Sequence, residues 1–245
     1  MGKRVFVKFG EKEHLQGIMD GTIRFAPSQT YIRMEKELHN KGQGDLLEGK
    51  WVIHAERMKM TSNETGETTE IPYKGKVTVG IVDVNNMPVF CITEYDERYV
   101  SDKGELLIPN EKLESIKHDF PKATHALIVL DDTKFVEAVE NAGGHQICSD
   151  SIHYYDYDIN DIQMLSYLTT GDEYSFKSGL KMQAMTYENR YRHLLCKDES
   201  FANQDEYRFI VLDKLSDIPV FYPIQYMGRY KLVKMDDLEN PIDVM

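Results

Sequence analysis

Gln204, Glu206 and Arg208 stand at every second position in the run Asn203–Val211, interleaved with Tyr207, Phe209 and Val211. In an extended strand successive side chains point to opposite faces. This spacing therefore turns the apolar trio toward a core and leaves an amide, a carboxylate and a guanidinium together on the other face. Three hydrogen-bonding groups aligned on one face of such a strand require a partner. One partner is solvent, in which case a Glu206–Arg208 pair is worth little. Another is a ligand. Asp45 and Glu48, in the glycine-bounded segment Lys41–Gly49, add two acids that with Glu206 could hold magnesium ions for phosphodiester cleavage.

Other catalytic signatures are absent. No Walker lysine loop and no Gly-x-Ser-x-Gly elbow occur, and Gly42-x-Gly44 lacks the third glycine and the strand–helix context of a dinucleotide fingerprint. Phosphate-loop NTPases, Rossmann enzymes and serine hydrolases of the usual kinds are excluded. The eight histidines include neither His-Glu-x-x-His nor His-x-His, so none forms a zinc pair by spacing. Asp156–Asp161 opens like a calcium loop, but Asp161 replaces the sharp-turn glycine and Tyr167 stands at the twelfth position. Tyr154, Tyr155 and Tyr157 could stack on a base; on a strand they read first as half-buried sheet packing.

The elements that must position these residues follow from periodicity. Val5–Phe9 reads as a strand, Glu11–Met19 as a helix closed by Gly21, and Thr22–Ala26 as a strand with Ile23 and Phe25 on one face and Arg24 on the other. Residues 28–50 read as a long excursion, with a mobile or ligand-ordered loop over 38–50. Strands over Trp51–Met60, Thr68–Ile71, Lys76–Asp83 and Pro88–Thr93 suggest an antiparallel meander. Asn110–Phe120 reads as a helix and Ala126–Leu130 as a central buried strand. The next helix is capped by Asp131 or Asp132, buries Phe135, Val136 and Val139, and stops at Gly143-Gly144. Gln146–Tyr157 is strand-like, Ser178–Leu195 helical, and Tyr207–Leu212, Val220–Tyr226 and Tyr230–Val233 complete the sheet.

The whole is expected to be a single α+β domain over residues 1–245, a mainly antiparallel mixed sheet with interspersed helices. A hydrophobic fraction of 41% supports a folded core. The net charge of −12 disfavours non-specific binding to nucleic acid or anionic membranes. Cys91, Cys148 and Cys196 are too few and too far apart for a disulfide framework or a zinc site. They read as reduced thiols in a cytoplasmic protein. No signal peptide or 18-residue apolar run is present, and Phe6 stands where a myristoylation motif after Gly2 needs Ser or Thr.

Taken in order, the segments Gly21–Ser28, Gly44–Gly49, Pro88–Thr93 and Cys196–Phe209 resemble a large bacterial domain family of unknown function. Its members carry an early Arg-Phe strand, an acidic loop and a late Glu-x-Arg strand. The match spans about residues 20–212. It departs from the pattern around residues 95–125, where Glu94–Tyr99 replaces a helix rich in Trp and His.

More distantly, the skeleton is similar to ADP-ribosyltransferase toxins of the Arg-Ser-Glu class. Arg24 matches the early arginine and Gln204-Asp205-Glu206 the late Gln-x-Glu, while Ser149-Asp150-Ser151 holds the place of the middle serine motif. This resemblance implies an ADP-ribosyltransferase-like fold and NAD as substrate. Glu206 would stabilise the positive charge that builds on the ribose as nicotinamide leaves, and Gln204 would orient the acceptor. Arg24 would supply a fork for the pyrophosphate, with Ser149, Ser151 and Arg208 also on the cofactor. The implied role is an effector, a toxin or phage-defence component, modifying protein or nucleic acid and restrained by an antitoxin or regulatory protein. The metal-dependent nuclease and a non-catalytic sensing or interaction domain remain the alternatives.

Overall fold

The computed structural model describes residues 4–38, 44–62, 64–161, 164, 167–168, 173–175, 181–183 and 187–244. Eight strands make the main sheet: β1 (Val5–Gly10), β2 (Thr22–Pro27), β3 (Pro88–Tyr95), β4 (His125–Val129), β5 (Ile147–Ser151), β6 (Glu206–Val211), β7 (Val220–Pro223) and β8 (Tyr230–Lys234). Their order is β5-β6-β3-β1-β4-β8, with β2 joining both β3 and β7. Every one of these pairings is antiparallel. With four α-helices among the described residues beside it, the chain is α+β with a mainly antiparallel sheet, as its alternating strand patterns require.

Alternation along the strands sorts the core into two faces. Phe6, Phe90, Ile92, Leu127, Tyr207, Phe209 and Val211 lie on the first face, beneath Leu15 and Ile18 of α1 (Lys12–Met19) and Phe135 and Val139 of α4 (Asp132–Glu140). Val5, Val7, Ala126 and Ile128 lie on the second face, under Leu113 and Ile116 of α3 (Asn110–Asp119). Further along that face Val89 and Ile210 meet Val84, Met87 and Leu194. β4 is the central buried strand that its apolar run announces. Asp131 takes the N-cap position of α4, but its side chain makes no cap bond; Oδ2 accepts the Arg229 N–H at 2.8 Å instead. After α4 the chain turns through Gly143 at φ +62°, where a Cβ would come within 2.9 Å of the Tyr222 ring. Glycine is required there both by conformation and by space.

Four expectations change. The stretch read as an excursion contains α2 (Gln29–Leu38), anchored by the buried Ser28, whose Oγ donates to the Val84 carbonyl at 2.6 Å. The expected meander is instead a pair of separate hairpin ladders, Lys50–Ala55 with Gly75–Gly80 and, between them, Met58–Thr61 with Thr68–Ile71; only β3 joins the main sheet. The strand expected over Gln146–Tyr157 ends at Ser151: after a last ladder bond from the Ile152 N–H to Glu206 O, the chain leaves β6 to pair His153–Tyr155 in parallel with Cys196–Asp198. Of the helix expected over Ser178–Leu195, Lys181–Gln183 is instead a strand paired with Glu173–Ser175 and Tyr187–Leu195 is a 3₁₀ helix; residues 178–180 and 184–186 lie outside the described residues.

Candidate functional site

β6 is not continuous with the residues before it. Glu199–Gln204 forms a 3₁₀ helix whose N-cap, Asp198, accepts the Ser200 N–H at 3.0 Å, and Asp205 then turns the chain with φ +39° before the strand starts at Glu206. Asp205 is the one non-glycine residue with positive φ among the described residues. Asp tolerates this left-handed conformation better than most side chains. It is also held by ion pairs to Lys112 and Arg98. Gln204 is therefore off the strand, which corrects the expectation of three aligned groups.

Glu206 and Arg208 do share a face, but that face is closed. Arg208 is 0% exposed and Glu206 7%. The arginine stands opposite Cys91 and the glutamate opposite Thr93, on the second face of the sheet. Arg208 Nε donates to Glu206 Oε1 at 2.8 Å, Nη1 donates to Leu194 O at 2.5 Å, and the same guanidinium pairs with both oxygens of Glu48. Lys197 Nζ takes the other Glu206 oxygen at 2.6 Å and reaches Gln204 Oε1 at 3.1 Å. A solvated Glu–Arg face is thus ruled out, and what replaces it is a buried network of four charges.

Its electrostatics follow from that burial. Desolvation pushes the Glu206 carboxyl up, but Arg208 and Lys197 outweigh it and hold the group far below the usual carboxylate range. Arg208 and Lys197 are each disfavoured by burial and raised by the Glu206 charge. Around them burial lifts Tyr31 well above its ordinary value and the Cys91 thiol to about 11. The segment Gly44–Gly49, expected to be mobile, supplies Asp45 and Glu48 to this cluster, both buried; residues 39–43 of that loop lie outside the described residues. Gly49 makes the approach work, since at φ +67° its missing Cβ would sit 2.7 Å from Val84 Cγ1.

The remaining expected residues divide between the two faces. Ala26 stands opposite Val89, so two residues earlier Arg24 shares the second face with Arg208. Both flank β3, about 10 Å apart at two strand spacings. Arg24 is exposed and makes no hydrogen bond or ion pair to the described residues. Between β1 and β2, where β3 changes partner, Lys8 Nζ donates to Cys91 O at 2.5 Å; burial lowers its pKa. Ser149 and Ser151 stand opposite Phe209 and Tyr207, hence on the first face, across the sheet from Glu206. Ser149 Oγ donates to Glu140 Oε1 at 2.6 Å and contacts the Tyr207 hydroxyl at 2.8 Å. Ser151 Oγ donates to Glu94 Oε2 at 2.5 Å, while Arg4 bridges Glu94 at 3.2 Å and Asp132 at 2.8 Å. The set Arg24, Ser149, Ser151 and Glu206 is therefore not gathered at one point.

Asp45, Glu48 and Glu206 do come together, but Glu48 and Glu206 are committed to Arg208. Among the described residues no group of three His, Cys, Asp or Glu has metal-holding geometry. Sequence reasoning missed Lys197, whose place next to Cys196 carries no periodic signal, and Arg4, which precedes the first strand. A surface groove of about 550 Å³ lined by Lys134, Glu137, Asn141, Gly143, Pro223 and Met227 runs beside α4 and does not touch the cluster. No family model, no curated protein and no solved structure matches this chain.

Proposed function

We propose that this chain is a recognition domain in which Glu206 and Arg208 hold the sheet to its covering segments and do no chemistry themselves. The observation that carries this reading is that both Glu206 oxygens are occupied, one by Arg208 and one by Lys197, inside the protein. A carboxylate so neutralised has little field left for a reacting sugar and no free oxygen for a metal. The surface on offer is the outer side of the β2–β7 ribbon, where Phe221, 61% exposed, stands directly opposite Arg24. Its partner is a regulatory protein or other macromolecule. The test is pull-down from cell extract with wild type and Phe221→Ser. A specific partner lost in the variant, with unchanged folding, supports the reading; steady release of nicotinamide from NAD by the purified protein overturns it.

A second reading, an NAD-dependent ADP-ribosyltransferase-like effector, is favoured by one observation: the unpaired Arg24 and the ionised Glu206 share a sheet face, flanking β3. In it Arg24 takes the pyrophosphate and Glu206 faces the ribose, while Ser149 and Ser151 have no part at that face. It expects nicotinamide release that falls about a hundredfold or more in Glu206→Gln, the scale of one preorganised electrostatic contact. A fully active Glu206→Gln protein refutes it.

A further inference from the structure

The buried cluster contains one acid too many. Lys197, Arg208, Glu48 and Glu206 close a neutral set among themselves. Lys8, the further cation in range of Glu206, lies on the first face, its Nζ over the Phe90 ring and donating to the Cys91 carbonyl, while the cations that act on Asp45 are Lys197 and Arg208. Asp45 is the supernumerary charge. It is 3% exposed; Oδ1 accepts the Leu47 N–H at 2.8 Å, and Oδ2 is buried with no hydrogen-bond partner among the described residues. The Tyr157 hydroxyl, which faces Asp45 from the segment after His153–Tyr155, is buried too, with no hydrogen-bond partner among the described residues. A buried carboxylate without a counter-charge is removed most simply by a proton, which also turns Oδ2 into a donor.

We propose that Asp45 is a proton-binding site that couples the surrounding pH to the seating of the Gly44–Gly49 turn against the sheet. The groups that face it are Glu48 on its own turn, Lys197 from Cys196–Asp198, Arg208 from β6 and Tyr157. Burial comes first and Glu48 second in pushing Asp45 up to about 6, against Lys197, the Leu47 N–H and Arg208, which pull it down. Below that pH the turn docks as a neutral group. Above it, an uncompensated charge appears beside Glu48, whose carboxylate grips Arg208. The native value is raised above the unfolded one, so the stabilisation is complete below the ordinary value of 3.8 and lost as pH rises through about 6.

The experiment compares thermal unfolding of wild type and Asp45→Asn from pH 4 to 8. The variant should gain on wild type across that range by about two orders of magnitude in the folding equilibrium, then stay level above pH 7. Tryptic cleavage after Lys50 should accelerate above pH 6 in wild type relative to the variant at the same pH. A gap between the two proteins that does not change with pH overturns the proposal. Should Asp45→Asn fail to fold, the carboxyl carbon resonance of Asp45 in wild type decides: a midpoint near 6 supports the site and one near 3.8 overturns it. Stabilisation of wild type at pH 8 by ammonium chloride beyond choline chloride, absent in Asp45→Asn, assigns the position to a cation and overturns the proton.

Discussion

Replacing Arg208 by Leu removes a group that ties β6, the Gly44–Gly49 turn and the 3₁₀ helix at Leu194 together. Its guanidinium serves Glu206, Glu48 and the Leu194 carbonyl from a position with no exposure to solvent. Breaking a buried ion pair by deleting one partner costs about 3–5 kcal/mol, because the other charge stays buried. The orphaned Leu194 carbonyl adds about 1–3 kcal/mol. Against a typical total stability of about 5–15 kcal/mol, Arg208→Leu should leave the protein marginal or unfolded at neutral pH. Part of the loss should be recovered at acid pH, where the stranded carboxylates can protonate. Arg208→Lys keeps the charge but loses the planar fork that reaches three acceptors, so its cost should be intermediate. Chemical denaturation at pH 5 and pH 8 measures both. An Arg208→Leu protein within about 1 kcal/mol of wild type at pH 8 would show that the network is dispensable, since that is the scale of exposed pairs, and would refute the reasoning.

Three other outcomes follow from the same geometry. Glu206 is held far below its ordinary 4.5, so the stabilisation it provides is present above that value and lost as pH falls through the acid range; Glu206→Gln should remove this limb of an acid-unfolding curve. Gly143→Ala should cost more than about 1 kcal/mol in thermal or denaturant unfolding, since it meets both a left-handed φ and the Tyr222 ring, whereas Gly66→Ala, with φ +71° and open space, should suffer the strain alone. Burial that lifts Cys91 to about 11 should make it slow toward iodoacetamide at pH 8 in the native protein and fast after denaturation.

Periodicity revealed the strands that form the sheet because each alternates or runs apolar over a length that packing demands. Arg24 was placed on the outward face by Ile23 and Phe25 on either side, and there it lies. The same logic failed for Gln204, because strand alternation says nothing about where a strand begins; the Asp198 cap and the left-handed Asp205 move that start to Glu206. It failed again for the environment of β6. Alternation separates two faces but cannot tell solvent from a second layer, and the covering segments of that layer come from residues as distant as Glu48 and Leu194. The acidic turn was visible as a cluster of charges between glycines. Its burial was not, since it depends on a counter-charge 160 residues away.

Why retain so costly a network where Leu or Met would pack? Its geometry points to register. Shifting β6 by one residue against β3 would turn Glu206 and Arg208 onto the first face, against Phe6, Phe90 and Phe135, and would strand Glu48 without a partner. An all-apolar β6, buried on both sides, would tolerate such a slip far better. The same argument sets a condition on any chemistry at Glu206. One of its two cations must first let go, and the candidates are unequal. Arg208 is fixed by two further acceptors in the cluster, while Lys197 already has the Gln204 side-chain carbonyl at 3.1 Å as an alternative. A state in which Glu206 meets a ligand is therefore one in which Lys197 has moved wholly to Gln204. Replacing Gln204 by Leu should impede that state without disturbing Arg208, leaving stability nearly unchanged while lowering any activity that depends on Glu206.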